Sequence, residues 1–127
     1  MKTLKYFILT LLFSFSASTY AAKAEPVLNQ PVPNTISTEQ LVKKITKAGL
    51  VRGWQVQKEA KDQLTADIHV RSHYVAVNIS LHDNSYDITY RDSKNMKYDE
   101  ASGTIHRKYN GWVGNLNKDI QRELLSE

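Results

Sequence analysis

No cysteine occurs among the 127 residues. That single absence removes disulfides, a thiol nucleophile, zinc–thiolate clusters and a lipid-modified N-terminal cysteine. Whatever folds here folds by packing alone. Proline is scarce and local: Pro26, Pro31 and Pro33 are the three in the chain, so nothing beyond Pro33 has its backbone hydrogen bonding interrupted by proline. No apolar run is long enough to cross a membrane. The longest, Phe7 to Phe15, is broken by Thr10 and Ser14 and falls short of the ~20 residues that a bilayer core needs. Serine-nucleophile elbows, paired catalytic carboxylates and glycine-rich phosphate loops are also missing, which leaves no catalytic residue to name.

What is present at the start is a three-part export signal. Lys2 and Lys5 precede the short apolar run, and small residues then offer cleavage after Ala21, with an alternative after Ala24. The expected product is periplasmic or extracellular and keeps no stable membrane insertion once the signal over 1–21 is removed. Lys2 and Lys5 leave with the signal, so 15 of the 17 basic residues remain against 13 acidic ones, a net charge of +2 rather than +4. That balance carries no basic stripe for nucleic acid. About 105 residues remain, enough for one domain with one core.

Residues 22–35 hold all three prolines without periodicity and are expected to form an extended, disordered leader ahead of a single domain over 36–127. Ser37 and Gln40 then make a capping box, and Ile36 and Leu41 a hydrophobic staple. Leu41, Val42, Ile45 and Ala48 share a face and Gly49 supplies a stop, which predicts a helix over 37–48. From Arg52 to Arg91 the period becomes two, predicting four half-buried strands around Trp54–Val56, Leu64–Arg71, Tyr74–His82 and Tyr86–Arg91. Two-residue turns at Ser72-His73 and Asp83-Asn84 would pair Val70 with Val75 and Leu81 with Tyr86, and a connection over Lys58–Asp62 would set Val56 beside Leu64. Every apolar residue then lies on one face. After a polar loop over 92–103, Ile105, Tyr109, Trp112, Val113, Leu116, Ile120 and Leu124 fall within an arc of about 120° at helical spacing. This predicts a helix over 105–125. The expected fold is α+β, a four-stranded antiparallel meander with an N-terminal and a C-terminal helix on one face.

Candidate sites follow from this frame. On the polar sheet face, the expected register sets His69, Ala76 and Arg91 in one row, with Arg71 and Tyr74 at one end, a group suited to an anion or glycan. In the loop, Ser93, Asn95 and Tyr98 stand among aromatics, and Tyr98 belongs to no periodic element. These six, Ser93, Asn95, Tyr98, His69, Arg71 and Arg91, are the candidate ligand-binding residues. The four histidines have no spacing that brings two onto one metal, so neither a metal nor another cofactor is expected. Gly111 and Gly114 form a GxxG; the helix is expected to begin beyond them, the other reading being a smooth face for a close partner. Asn78-Ile79-Ser80 matches a glycosylation sequon but lies within a strand.

The run Tyr86-Asp87-Ile88-Thr89-Tyr90, then Asp92-Ser93-Lys94-Asn95-Met96 and Tyr98, then Ile105-His106, Tyr109-Asn110 and Trp112, resembles a family of small uncharacterised exported proteins of Gram-negative bacteria, some of them lipoproteins. Arg52-Gly53-Trp54 and Arg71-Ser72-His73 are also similar. The resemblance implies an envelope location and an αβ domain, and no activity. The expected function is a non-enzymatic periplasmic binding or adaptor domain that engages an envelope protein or a cell-wall-type glycan, with edge strands free for strand addition. The alternative is a small-molecule or ion binder using the loop over 92–98. A hydrolase lacks an activated nucleophile, and the oligomeric state is not legible.

Overall fold

A computed structural model describes residues 21–126; the rest of the signal read over 1–21 lies outside them. Among the described residues seven strands and two helices follow in order: β1 (Ala21–Lys23), β2 (Val27–Pro31), α1 (Thr38–Leu50), β3 (Gln55–Ala60), β4 (Gln63–Val70), β5 (His73–Leu81), β6 (Ser85–Lys94), β7 (Thr104–His106) and α2 (Lys108–Leu125). The class is α+β, as the periodicities imply. The main sheet is antiparallel with five strands in the order β2-β6-β5-β4-β3, and β1 pairs with β7 in a separate two-stranded sheet.

The core sits where the alternation places it. Leu64, Ala66 and Ile68 of β4, Val75, Val77, Ile79 and Leu81 of β5, and Tyr86 and Ile88 of β6 are buried on one face. Against them lie Leu41, Ile45 and Ala48 of α1 and Tyr109, Val113, Leu116, Ile120 and Leu124 of α2. The capping box forms at Ser37: its hydroxyl accepts from the Gln40 N–H at 3.2 Å, and Gln40 Oε1 accepts from the Ser37 N–H at 3.0 Å. That satisfies two amide groups the first turn would otherwise leave open.

Several expectations are corrected. Residues 22–35 are extended but not disordered: β2 pairs antiparallel with β6 and makes a fifth strand, while β1 clips onto β7. The strand at Tyr86–Arg91 is therefore no edge, and β2 and β3 are. Asn110 holds the clip by accepting from the Glu25 N–H at 3.0 Å and donating to the Lys23 carbonyl at 2.8 Å. The β4–β5 turn is at Arg71-Ser72, one residue earlier than expected, so Ile68 rather than Val70 faces Val75, and Val56 faces Ala66 rather than Leu64. Both shifts are by two residues, which preserves every face; alternation alone cannot tell the registers apart. The chain over 92–103 is not all loop, because β6 runs on to Lys94 through a bulge that makes Arg91 the extra residue opposite Ala76 and Val77. Finally, α2 begins at Lys108, so Ile105 and His106 lie in β7 while Gly111 and Gly114 are within the helix.

Gly49 is not a stop either, since α1 continues to Leu50. A Cβ added there would meet Val56 Cγ2 at 2.9 Å and Trp54 Cβ at 3.3 Å, so glycine lets α1 approach β3 closely. Beyond it Leu50 and Val51 are exposed, and buried Trp54 begins the return to the sheet.

Candidate functional site

The pieces of one site come from four places in the chain, the α1–β3 connection supplying Arg52 and Trp54. The end of β4 and its turn supply Ile68, Val70 and Arg71; the start of β5 supplies His73; and the first two turns of α2 supply Lys108, Gly111, Trp112 and Asn115. Between them runs a groove of two joined chambers. The larger, about 420 Å³, lies beside Arg71, His73, Lys108 and Gly111. The smaller, about 260 Å³, lies beside Arg52, Trp54 and Ile68. Val70, Trp112 and Asn115 are walls of both.

Local chemistry explains why the groove exists. Gly111 carries no side chain, and a Cβ built on it would meet nothing within 4 Å, so the helix surface is cut back beside Trp112. Trp112 is half-buried, with Val113 and Leu116 facing the core beside it. The turn opposite is held in place: Arg71 takes a left-handed φ of 57°, Asn95 Nδ2 donates to Ser72 Oγ at 2.8 Å, and His73 Nδ1 donates to the Asn95 carbonyl at 2.7 Å. Because a carbonyl only accepts, the His73 proton sits on Nδ1 and Nε2 is left free of that bond. The His73 ring centroid is 5.7 Å from that of His106 and 6.2 Å from that of Trp112.

The electrostatics have one sign. Among the described residues lining the larger chamber none is a carboxylate, while Arg71 and Lys108 are exposed cations. At the other end Arg52 is already engaged by the buried carboxylate of Asp119, 2.8 Å away, which offsets part of its charge and which Arg122 also contacts at 3.3 Å. The first turn of α2 contains no acidic residue, and its N-cap residue Arg107 makes no side-chain capping bond; the helix dipole therefore adds positive potential at the same end. His106 lies at the same end. Burial first, then the charges of His73, Lys108, Arg107 and Lys97, hold its pKa below the usual histidine value, and its Nδ1 accepts from the Lys108 N–H at 3.1 Å.

The six sequence candidates are dispersed. Arg71 lines the groove. Asn95 stands behind it, gripping Ser72 and His73 as described, with a positive φ of 57°. Ser93 turns inward, its hydroxyl 2.8 Å from that of Tyr90. Tyr98 stacks on Tyr90, ring centroids 4.1 Å apart, beside an open cleft of about 500 Å³ that also touches Arg91, Asp92 and Glu100. Arg91 donates to Asn78 Oδ1 at 3.0 Å. His69 packs on Tyr74, with centroids 4.7 Å apart, and does not share a row with Arg91: the row through Ala76 is Asp67, Ala76, Asp92. The residues missed were His73, Lys108, Gly111, Trp112 and Asn115. The signal for them was GxxG, where two glycines in a helix opposite its apolar stripe mark a face kept low.

Among the described residues no group of three or more metal-ligating side chains converges, and no helix is long and apolar enough to cross a membrane. No protein-family model matches the chain, and no match is found among curated proteins or solved structures.

Proposed function

We propose that this chain is an exported, non-enzymatic binding domain of the bacterial envelope, and that its ligand, a cell-wall-type glycan fragment, sits in the groove over Trp112. The observation that carries the reading is the groove itself: a half-buried indole face flanked by Arg71, His73 and Lys108, with no carboxylate among the described lining residues. Indole faces take up the C–H face of a ring while polar neighbours fix its orientation. Binding is favoured over hydrolysis because among the described residues no hydroxyl is bonded to His73, whose Nδ1 is taken by the Asn95 carbonyl, and the neighbouring Ser72 hydroxyl accepts from Asn95. The export signal and the resemblance to small envelope proteins support the location.

The test is a titration of the 15N-labelled protein with a soluble peptidoglycan digest. The indole N–H of Trp112 and the amides of Val70, Arg71 and Gly111 should shift together. Shifts confined to Tyr90, Arg91 and Tyr98 would favour the second reading, a small-molecule site in the open cleft under the Tyr90–Tyr98 stack. No shift at either place would contradict both.

A further inference from the structure

We infer that the groove selects an acidic sugar, with the pyranose ring lying on Trp112 and its carboxylate or phosphate held by Arg71 and Lys108; the inference rests on the groove being the ligand seat. The charge pattern is polar along the groove. Among the described residues no carboxylate pairs with Arg71 or Lys108, whereas Arg52 at the far end is already engaged by Asp119 at 2.8 Å, a carboxylate it shares with Arg122. An anionic group is therefore drawn to the larger chamber and gains little in the smaller one. A ligand spanning both has one acidic end and one neutral end.

The walls define the neutral part. Val70 and Trp112 offer aliphatic and aromatic surface, and Asn115, one helical turn after Trp112, offers an amide that both donates and accepts. A sugar ring matches that pair, with C–H bonds for the indole and hydroxyls for the amide. A bare inorganic anion would leave Trp112 and the 260 Å³ chamber without a role. Gly111 completes the seat by letting the ring approach the helix backbone.

The experiment titrates the 15N-labelled protein at low salt with four probes: N-acetylglucosamine, N-acetylmuramic acid, N-acetylglucosamine 6-phosphate and inorganic phosphate. The two acidic sugars should bind at least about ten-fold more tightly than the neutral one, as charge-assisted hydrogen bonds require. The preference should fade toward 1 M salt, where screening acts over ~3 Å. Which acidic sugar binds better identifies carboxylate or phosphate as the natural acid. The double variant Arg71→Asn with Lys108→Gln should remove the preference, so that acidic and neutral sugars bind the variant with equal affinity. Both side chains are exposed, and asparagine tolerates the left-handed backbone at position 71, so the fold is kept. Equal affinity for neutral and acidic sugars would overturn the acid requirement while leaving the seat intact. Inorganic phosphate binding as tightly as the sugar phosphate would overturn the ring. No Trp112 shift with any probe would overturn the seat, and the inference with it.

Discussion

His73 Nδ1 donates to the backbone carbonyl of Asn95 at 2.7 Å, so the β4–β5 turn that carries Arg71 is tied to the end of β6. This bond makes Asn95 a positioning residue for the groove. Asn95 also sits at φ 57°, where asparagine is tolerated and most residues are strained. Asn95→Gly should keep the backbone and lose only the side-chain bond to Ser72, costing about 0.5–1.5 kcal/mol. Asn95→Ala should cost about 1–2 kcal/mol more, from the left-handed strain. Urea midpoints of the two variants check the order; an alanine variant as stable as the glycine variant would remove the strain argument.

Asp119 is a carboxylate only 2% exposed, held by two arginines that are themselves in contact with water, Arg52 at 47% and Arg122 at 74%. Removing the exposed partner should therefore cost more than removing the buried one. Arg52→Ala leaves a buried carboxylate with only the longer 3.3 Å bond to the exposed Arg122 and should destabilise by about 2–3 kcal/mol. Asp119→Ala frees two arginines that hydrate readily and should cost about 1 kcal/mol. Denaturant unfolding of both variants, measured side by side at neutral pH, gives the comparison.

Tyr86 is buried between sheet and helix, donating to Asn117 Oδ1 at 2.5 Å and accepting from Gln121 Nε2 at 3.0 Å. Asn117 in turn donates to Gln30 at 2.8 Å and Gln121 to the Pro31 carbonyl at 3.1 Å, so the network fastens β2 to the domain. Tyr86→Phe should cost about 1–2 kcal/mol, with amide exchange in β2 accelerating first. Burial pushes the Tyr86 phenol up to about 12 from 10.0, although the Gln121 bond lowers it. A group raised on folding contributes stability below its unfolded pKa and loses it as pH rises through the folded one. Stability should thus fall between pH 10.0 and about 12, and the phenylalanine variant should lack that component.

Acid has a separate signature. His106 titrates below its ordinary 6.5 in the folded protein, from burial first and then from neighbouring cations. The unfolded chain therefore binds the proton more readily. The contribution is intact above 6.5, declines as pH falls below it, and is fully lost beneath the folded pKa. Asp87 acts at lower pH in the same sense: the Asn29 N–H at 2.7 Å, then the His82 bond, hold its pKa below 3.8. His106→Asn, whose amide oxygen can still accept from the Lys108 N–H, should flatten the stability profile between pH 7 and pH 5 and leave the Asp87 phase unaltered. Urea midpoints across that range are the measurement.

Gly111 separates groove from fold. Gly111→Ala should stabilise the protein by about 0.8–1 kcal/mol, the helix preference for alanine, since a Cβ there meets nothing within 4 Å. Gly111→Leu should fold as well as the wild type yet fill the chamber and abolish ligand shifts at Trp112. A leucine variant that binds normally would place the ligand elsewhere.

Much of this was legible in the sequence because the core obeys simple periods. Leu64, Ala66 and Ile68, or Tyr109, Val113 and Leu116, face inward for the reason their spacing gives. The fifth strand was not legible. Val27–Pro31 lies among prolines with a register shift between Val27 and Gln30, and its pairing depends on the Asn29 backbone at φ 54° meeting Asp87, a tertiary bond with no local signature. The two-residue register shifts were hidden because either pairing buries the same side chains. The groove was half visible: Arg71 stood out as a charge, but Trp112 reads as core at helical phase, and only the fold shows its indole bordering an opening that Gly111 leaves unfilled.

The most direct test of the Trp112 seat is an intermolecular nuclear Overhauser experiment between the protein and N-acetylmuramic acid. Contacts are expected from the sugar-ring protons to the Trp112 indole and from the lactyl protons to Arg71 or Lys108, as a ring seated on Trp112 requires. Contacts to Tyr98 and Tyr90 instead, or a bound sugar with none to Trp112, would contradict it.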